Sequence, residues 1–549
     1  MPKQVNVLFV IPPYFNLDDF ISKDRTNVLP AFTMPYGVLS LDAYIKARCE
    51  ASVETAILDL NVPLAQILGQ PGVSQDQVLA MLNNEVAKAL TCFQADIVGV
   101  SALFNSSFRY IEDIATVVKQ ALPNVLVTAG GGLPSAAFDR MLGYCPSIDA
   151  VCKGEGEIPL ADLIDTDDRS ALLESHQSWI TRSGLAVGKQ PGHTFVQNLD
   201  DIPPLDYRTI DLNHYNSRSI DKRYIGMKKR EMAIHTSRGC PFLCVFCSNP
   251  SLHGRAVRTM SVDRVEAEVK RMRDEFGLTV LMIEDDHFFH DKERAKDVLR
   301  RLIDLDIRIE FPNGVAVYAI DDEVAELFAK AGVSTVALAV ESGSDYVLDH
   351  LIKKPLKKKL IKPAVEALRR HGVQSHVFIV IGLPGEMDEH RQETLEMMID
   401  SGFDWAHIYC AIPIFGSRLY DICADNGYIE NSNPLDFINT KSVIRAPGVD
   451  PDAIADIAYH MNLVANFVEN HNMKIENYST AIKYFKNVCE KYPDHAFGQY
   501  FLGMACKLSG MDLASADKCM KKFNEIVASD EWWRSKAVKY GLLKSPVEG

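Results

Sequence analysis

Apolar residues in the first third of the chain come in short, nearly unbroken runs, separated by stretches whose apolar positions recur every three or four residues. VNVLFVI (5–11), VETAILDL (53–60), ADIVGVSAL (95–103) and NVLVTAGG (124–131) read as strands, and CPSIDAVCKGEGE adds a fifth. PYGVLSLDAYIKARC and SFRYIEDIATVVKQAL between them carry helical spacing. Strands apolar on both faces, alternating with helices, predict a parallel sheet covered on both sides. Such sheets bind ligands beyond the carboxyl ends of their strands. Those ends here include Pro12 and Pro13, Asp59, the stretch Ser101 to Ser107 with Ser106 inside it, the run Gly130, Gly131 and Gly132, and the loop Gly154, Glu155 and Gly156. The glycines suit close approach of a large flat ligand, and equally a set of tight turns.

Periodicity weakens over 166–230, where LDDIPPLDYRTIDLNHY has the proline and aspartate content of a connector. A second alternating region follows, with strand candidates EMAIHTS, LTVLMIEDD, IRIEFPNGV, TVALAVES, VQSHVFIVIG and WAHIYCAIP. SVDRVEAEVKRMRDEF, between the first two, has Ser261 as a cap and Val265, Val269, Met272 and Phe276 on one face. The whole therefore reads as α/β: a Rossmann-like domain (1–165), a connector (166–230), a partial or full parallel β/α barrel (231–430) and a mainly helical C-terminal domain (431–549). In that last region Ala481, Phe485, Pro493, Leu502 and Gly503 resemble a tetratricopeptide unit. A helical cap is the simpler reading, because a repeat array needs more units.

A formal charge of -15 with 24% charged residues suits a soluble cytoplasmic protein and gives no broad electrostatic case for nucleic acid. No apolar run reaches membrane-spanning length, so no membrane insertion is expected, and the start lacks a signal-peptide pattern. Most of the 12 cysteines are scattered, as in a reducing compartment. The exception is HTSRGCPFLCVFCSNP (235–250), with Cys240, Cys244 and Cys247 inside eight residues. A disulfide cannot use three thiols, and a closed zinc site wants four ligands. His235 and His253 are near but give no recognisable fourth ligand, whereas three thiolates suit an iron–sulfur cluster with one iron left open.

The spacing of three residues and then two, with Phe246 before the last cysteine, resembles the cluster motif of radical S-adenosylmethionine enzymes. That resemblance implies a [4Fe-4S] cluster on Cys240, Cys244 and Cys247, S-adenosyl-L-methionine on its open iron, and an external one-electron reductant such as flavodoxin or ferredoxin. It also implies cofactor contacts from Glu284, Asp285 and Asp286 in IEDDHFF, Glu341 and Ser342 in ALAVESGSDYVL, and Gly382 and Pro384 in VFIVIGLPGE. The segments PPY, PYGVLSLDAYI, AGGGLPSA and CKGEGE resemble the cobalamin-binding domain fused before many such enzymes, with the glycine loops, Ser101, Ser106 and Glu155 around the corrinoid. One departure stands out: Asp59 is followed by Leu60 and Asn61, so no axial histidine is offered. Both cofactors together imply a methyltransferase acting, through methylcobalamin, on an unactivated carbon of a small molecule or peptide. A radical cyclase or other oxidative enzyme, including one acting on a tetrapyrrole, and a phosphinate methyltransferase are the alternatives. Arg258 and Tyr420 are candidates for the substrate pocket, with Arg255, Lys353, Tyr215, Tyr224, Phe288 and Phe289 as further candidates. The C-terminal helices are a candidate surface for a protein partner.

Overall fold

Strand β1 (Gln4–Ile11) is buried along nearly its whole length, as an uninterrupted apolar run requires. It pairs in parallel with β2 (Ser52–Asp59) on one side and β3 (Ile97–Ser101) on the other. β4 (Leu126–Gly130) and β5 (Ala150–Cys152) extend the parallel sheet. The order 2-1-3-4-5 is doubly wound, with its switch point between β1 and β3. Val10, Val98 and Val127 pack under Ile111, Ile114 and Val118 on one face, and Val7, Phe9 and Ile97 pack with Val38, Ile45 and Ile164 on the other. The computed structural model describes residues 3–15, 17, 32–68, 72–215, 230–429, 442–510 and 512–543; Tyr224 and positions 430–441 fall outside them.

The stretch read as a connector adds a strand. β6 (Trp179–Thr181) pairs antiparallel with β5 and completes the edge of the first sheet. Three residues leave no periodicity to detect, and Trp179 secures the strand by donating its indole N–H to Pro159 C=O at 3.1 Å.

The second region opens with β7 (Glu231–Ile234) and a short antiparallel pair, β8 (Ser237–Arg238) with β9 (Arg258–Thr259). β10 (Val280–Ile283) lies in parallel between β7 and β11 (Arg308–Glu310). β12 (Thr335–Glu341), β13 (Gln374–Ile381) and β14 (Trp405–Cys410) form a second parallel set. A bridge from Val315 to Leu338 joins the two sets, giving a six-stranded partial barrel around one continuous core. Helix Val262–Phe276 begins at Ser261, whose side chain accepts the Arg264 N–H, and buries Val265, Val269 and Met272.

The chain ends in helices, among them Tyr478–Lys491, Ala496–Ser509, Leu513–Ser529 and Glu531–Lys539, packed around Phe467, Phe485, Phe497 and Phe523. Tyr484 docks this layer on the barrel: its ring stacks on Trp405 with centroids 5.4 Å apart, and its hydroxyl meets His376 Nε2 at 2.9 Å. No helix among the described residues is long and apolar enough to cross a membrane.

Candidate active site between the two sheets

The carboxyl ends of the first sheet face the mouth of the partial barrel across one cavity of about 960 Å³, at the large end of ligand pockets (roughly 300–1,000 Å³). Ser101, Ser106, Gly130, Gly131, Gly132, Gly154, Glu155 and Gly156 line it from the front, together with mid-strand Gly99 and Thr128. Glu284 and Asp286 line it from the barrel, beside Ser248 and Asn249 that follow the third cysteine. Sequence reasoning missed Tyr14, Tyr36, His235 and Arg238, which also line it, whereas Asn105 falls within the strand-end stretch Ser101 to Ser107. Tyr36 and His235 were within reach, since both lie in segments singled out for other reasons.

β7 and β10 are register neighbours, so His235 and Glu284 emerge side by side at their ends, 3.5 Å apart, with the Tyr36 ring tilted against the imidazole, centroids 4.7 Å apart. The next two acids divide their roles. Asp285 turns inward and accepts Thr236 N–H (2.6 Å), Thr236 Oγ1–H (2.6 Å) and Ser237 Oγ–H (2.7 Å). Asp286 accepts Gly239 N–H at 3.0 Å and Asn249 Nδ2–H at 2.5 Å, and so ties down both ends of the three-cysteine loop. Asp285 is thus an anchor for the segment leading into the cysteines, not a cavity contact. Asp285→Ala leaves three donors unpaired, and apo-protein stability in urea is expected to fall by about 2–4 kcal/mol.

Cys240, Cys244 and Cys247 are free thiols on a half-buried loop. Burial pushes Cys247 up to about 12, opposed by the Asn249 backbone N–H. Burial also raises Cys240 and Cys244, opposed at both by Lys354. Lys354 meets Glu341 at 3.1 Å, and Glu341 sits at a β12 irregularity with a φ of 70°, a backbone state that few non-glycine residues hold. Phe246 packs on the barrel core. Ser342 is fully buried against Thr394 Oγ1 at 3.1 Å. Gly382 turns at a φ of 85° and donates its N–H to Glu386 at 2.5 Å, with Pro384 in the same turn. Burial pushes the Glu386 carboxyl up to about 7.

Both substrate-pocket expectations meet a different placement. Arg258 is buried and spent on Glu155, with Nη1 to Oε2 at 2.9 Å and Nη2 to Oε1 at 2.5 Å, while its guanidinium lies 4.3 Å from the Phe195 ring centroid. Tyr420 packs on Phe415 at 4.9 Å with Arg140 5.3 Å from its ring, outside the cavity. Tyr215 is buried and donates to Asp59 at 3.0 Å, Phe288 and Phe289 are core, and Arg255 and Lys353 are exposed and do not line the cavity.

The Gly154–Gly156 loop carries the junction between the two regions. Glu155 also accepts from Arg238 Nη1 at 3.1 Å and pairs with His253 Nδ1 at 2.8 Å; Arg238 in turn reaches Glu157 at 2.8 Å. Burial alone raises the Glu155 carboxyl, but Arg238, Arg258 and His253 together outweigh it and hold it well below the usual carboxylate range.

Comparison with known proteins matches two family models: the B12 binding domain over residues 24–164 and the radical SAM superfamily over 234–398. The chain belongs to the cobalamin-dependent radical S-adenosylmethionine enzymes. Within this family it is 28% identical over 466 residues to the cytidylyl-2-hydroxyethylphosphonate methyltransferase of Streptomyces wedmorensis, covering 79% of this chain and 86% of that one. It is 26% identical to an uncharacterized methyltransferase of Pyrococcus horikoshii, covering 86% and 97%. Its fold matches the methyltransferase TsrM from Kitasatospora setae, solved with cobalamin and a [4Fe-4S] cluster (TM-score 0.59, 15% identity, 96% and 100% covered). It also matches OxsB, solved with aqua-cobalamin and S-adenosylmethionine (TM-score 0.61, 14% identity, 99% and 82% covered).

The residues present fit the family's cofactors, [4Fe-4S], S-adenosyl-L-methionine and cobalamin. Three soft thiols with backbone N–H groups and the half-buried cation of Lys354 beside them suit an iron–sulfur cluster. The cavity has open glycine surface at Gly37, where an added Cβ would meet nothing within 4 Å, and at Gly130, where the nearest atom would be 3.9 Å away. Asn105 presents to it an amide nitrogen with no protein partner among the described residues. Asn61, in the region where an axial histidine was sought, is buried and held by Asp59 and Pro12.

Proposed function

We propose that this protein methylates an unactivated carbon of a small molecule or peptide. The observation that carries the reading is the single cavity shared by the glycine-lined sheet ends and the barrel mouth beside the cysteines. Methyl transfer itself follows from the family and its methyltransferase relatives. When bound, cobalamin supplies the methyl group, and S-adenosylmethionine at the cluster supplies the radical that opens a C–H bond.

In this reading Cys240, Cys244 and Cys247 hold the cluster, and Asp286 fixes their loop. Gly130, Gly131 and Gly132 support the corrinoid, with Ser101, Ser106 and Asn105 available to its amide groups. Glu341, Ser342, Gly382 and Pro384 shape the S-adenosylmethionine end of the barrel. His235 and Glu284 are a polar pair at the barrel mouth, able to hold a hydroxyl or amine of the substrate. The 12 free cysteines support a reducing, cytoplasmic setting.

Ring formation is the second reading. It is favoured by 24% identity over 378 residues to the anaerobic magnesium-protoporphyrin IX monomethyl ester cyclase of Rubrivivax gelatinosus. Anaerobic reconstitution with iron, sulfide and hydroxocobalamin, then desalting, tests the cofactors: about four irons and one corrinoid per chain are expected. Replacing Cys240, Cys244 and Cys247 by alanine is expected to abolish iron loading while corrinoid is retained; unchanged iron overturns the assignment. During turnover, S-adenosylhomocysteine equal to 5'-deoxyadenosine supports methyl transfer, and its absence supports ring formation.

A further inference from the structure

The chain is acidic overall, with a formal charge of -15, yet LIKKPLKKKL (351–360) places five lysines in seven positions. This segment abuts the three-cysteine loop: Val245 N–H donates to Ile352 C=O at 2.9 Å, immediately before the first lysine. Lys354 turns inward to Glu341, whereas Lys353, Lys357, Lys358 and Lys359 are exposed. Two carboxylates share the face. Asp349 pairs with Lys357 at 3.0 Å, and Asp345 accepts the Lys358 backbone N–H at 3.3 Å. The side chains of Lys353, Lys358 and Lys359 have no ion-pair partner among the described residues. Across the loop, exposed Arg255 donates to Phe242 C=O at 2.7 Å. Between these cations Leu243, lying between two of the cysteines, is 58% exposed.

An exposed leucine alone means little, and a lysine run is usually a solvated face. Here both features fall at the loop assigned to the cluster, and neither Leu243 nor any of these cations lines the cavity that receives substrate. Resting on that cluster reading, we propose that this face docks a small acidic one-electron carrier protein such as flavodoxin. The lysines and Arg255 complement its negative surface, and Leu243 forms the dry centre of the contact. The carrier gives up one electron and the oxidised cluster takes it. Surface charge of this kind governs encounter rate and its salt dependence more than the final geometry.

The test is charge reversal in the full chain, Lys353→Glu with Lys358→Glu and Lys359→Glu, against a purified flavodoxin. Two readouts are needed: binding of oxidised flavodoxin followed by flavin fluorescence anisotropy, and S-adenosylmethionine cleavage driven either by reduced flavodoxin or by titanium(III) citrate. The variant is expected to bind flavodoxin ~10-fold more weakly and to raise its KM similarly, with the salt dependence flattened. Cleavage driven by titanium(III) citrate is expected to be unchanged. Unchanged binding and KM overturn the proposal, as does an equal loss with both reductants. If neither reductant supports cleavage in the unaltered protein, the cluster reading itself fails, which separates the two outcomes. Lys353→Gln, Lys358→Gln and Lys359→Gln together provide a milder variant with a smaller shift in the same direction.

Discussion

Glu155→Ala is expected to uncouple the two halves of the active site. One carboxylate there holds Arg238 from β8, Arg258 from the paired strand β9, and His253 between them. Arg238 stands two residues before Cys240, so the same ionic group that seats the front-domain loop also seats the start of the cysteine loop. All of these side chains are at least largely buried. Removing one partner of a buried ion pair costs about 3–5 kcal/mol, because the remaining charge loses its compensation in a poorly solvated place. Arg238 keeps Glu157 as a partner, whereas Arg258 loses the carboxylate it is paired with, so the expected loss stays within that range. Urea unfolding of the apo-protein should show it, and a separate early transition of either half would locate the damage at the junction. Glu155→Gln, which keeps the shape and loses the charge, should retain part of the binding of each cofactor but fall short of the parent. Acid should reproduce the effect. The folded-state pKa of Glu155 lies below its ordinary value, so its contribution is fully present above about pH 4.5 and is lost as the pH falls toward the folded-state value. A stability profile flat through that window would mean that the network contributes little.

The parallel architecture was legible because its strands are buried on both faces, which leaves long apolar runs such as VNVLFVI. The same pattern says nothing about a three-residue strand, so β6 was absorbed into the connector. The cysteine loop and the glycine-rich strand ends were legible because each needs residue types that few other structures demand. Side-chain direction was not. Glu284, Asp285 and Asp286 are adjacent in sequence, yet only the outer two face the cavity; Asp285 is captured by Thr236 and Ser237, neighbours brought close by β7–β10 pairing. Arg258 was misplaced for a related reason. An arginine near a loop is usually solvated, and only the fold reveals that Glu155, some hundred positions earlier, is buried beside it.

Gly131→Ala is expected to remove corrinoid binding while iron loading survives. Gly131 has φ 96° and ψ −172°, a region open essentially to glycine alone. A methyl group there would also lie 2.5 Å from the Ala102 carbonyl oxygen, a backbone atom at the end of β3 that cannot swing aside. Strain of about 1–3 kcal/mol from the dihedral therefore adds to a forced separation of the β3 and β4 loops, which line the cavity together. Gly37 separates shape from strain. It lines the same cavity, has no left-handed φ, and an added Cβ meets nothing within 4 Å, so Gly37→Leu should fold normally and fill ligand space instead. Gly143→Ala, on helix Phe138–Tyr144 with open space around it, is the control and should change neither property. Corrinoid retained after desalting, iron content and melting temperature distinguish the three. Loss of corrinoid with intact iron in both Gly131→Ala and Gly37→Leu would assign the cavity to the corrinoid. Full retention in Gly37→Leu would move the corrinoid elsewhere, whatever Gly131→Ala does, because strain alone can explain a loss in that variant but bulk alone is being tested in the other.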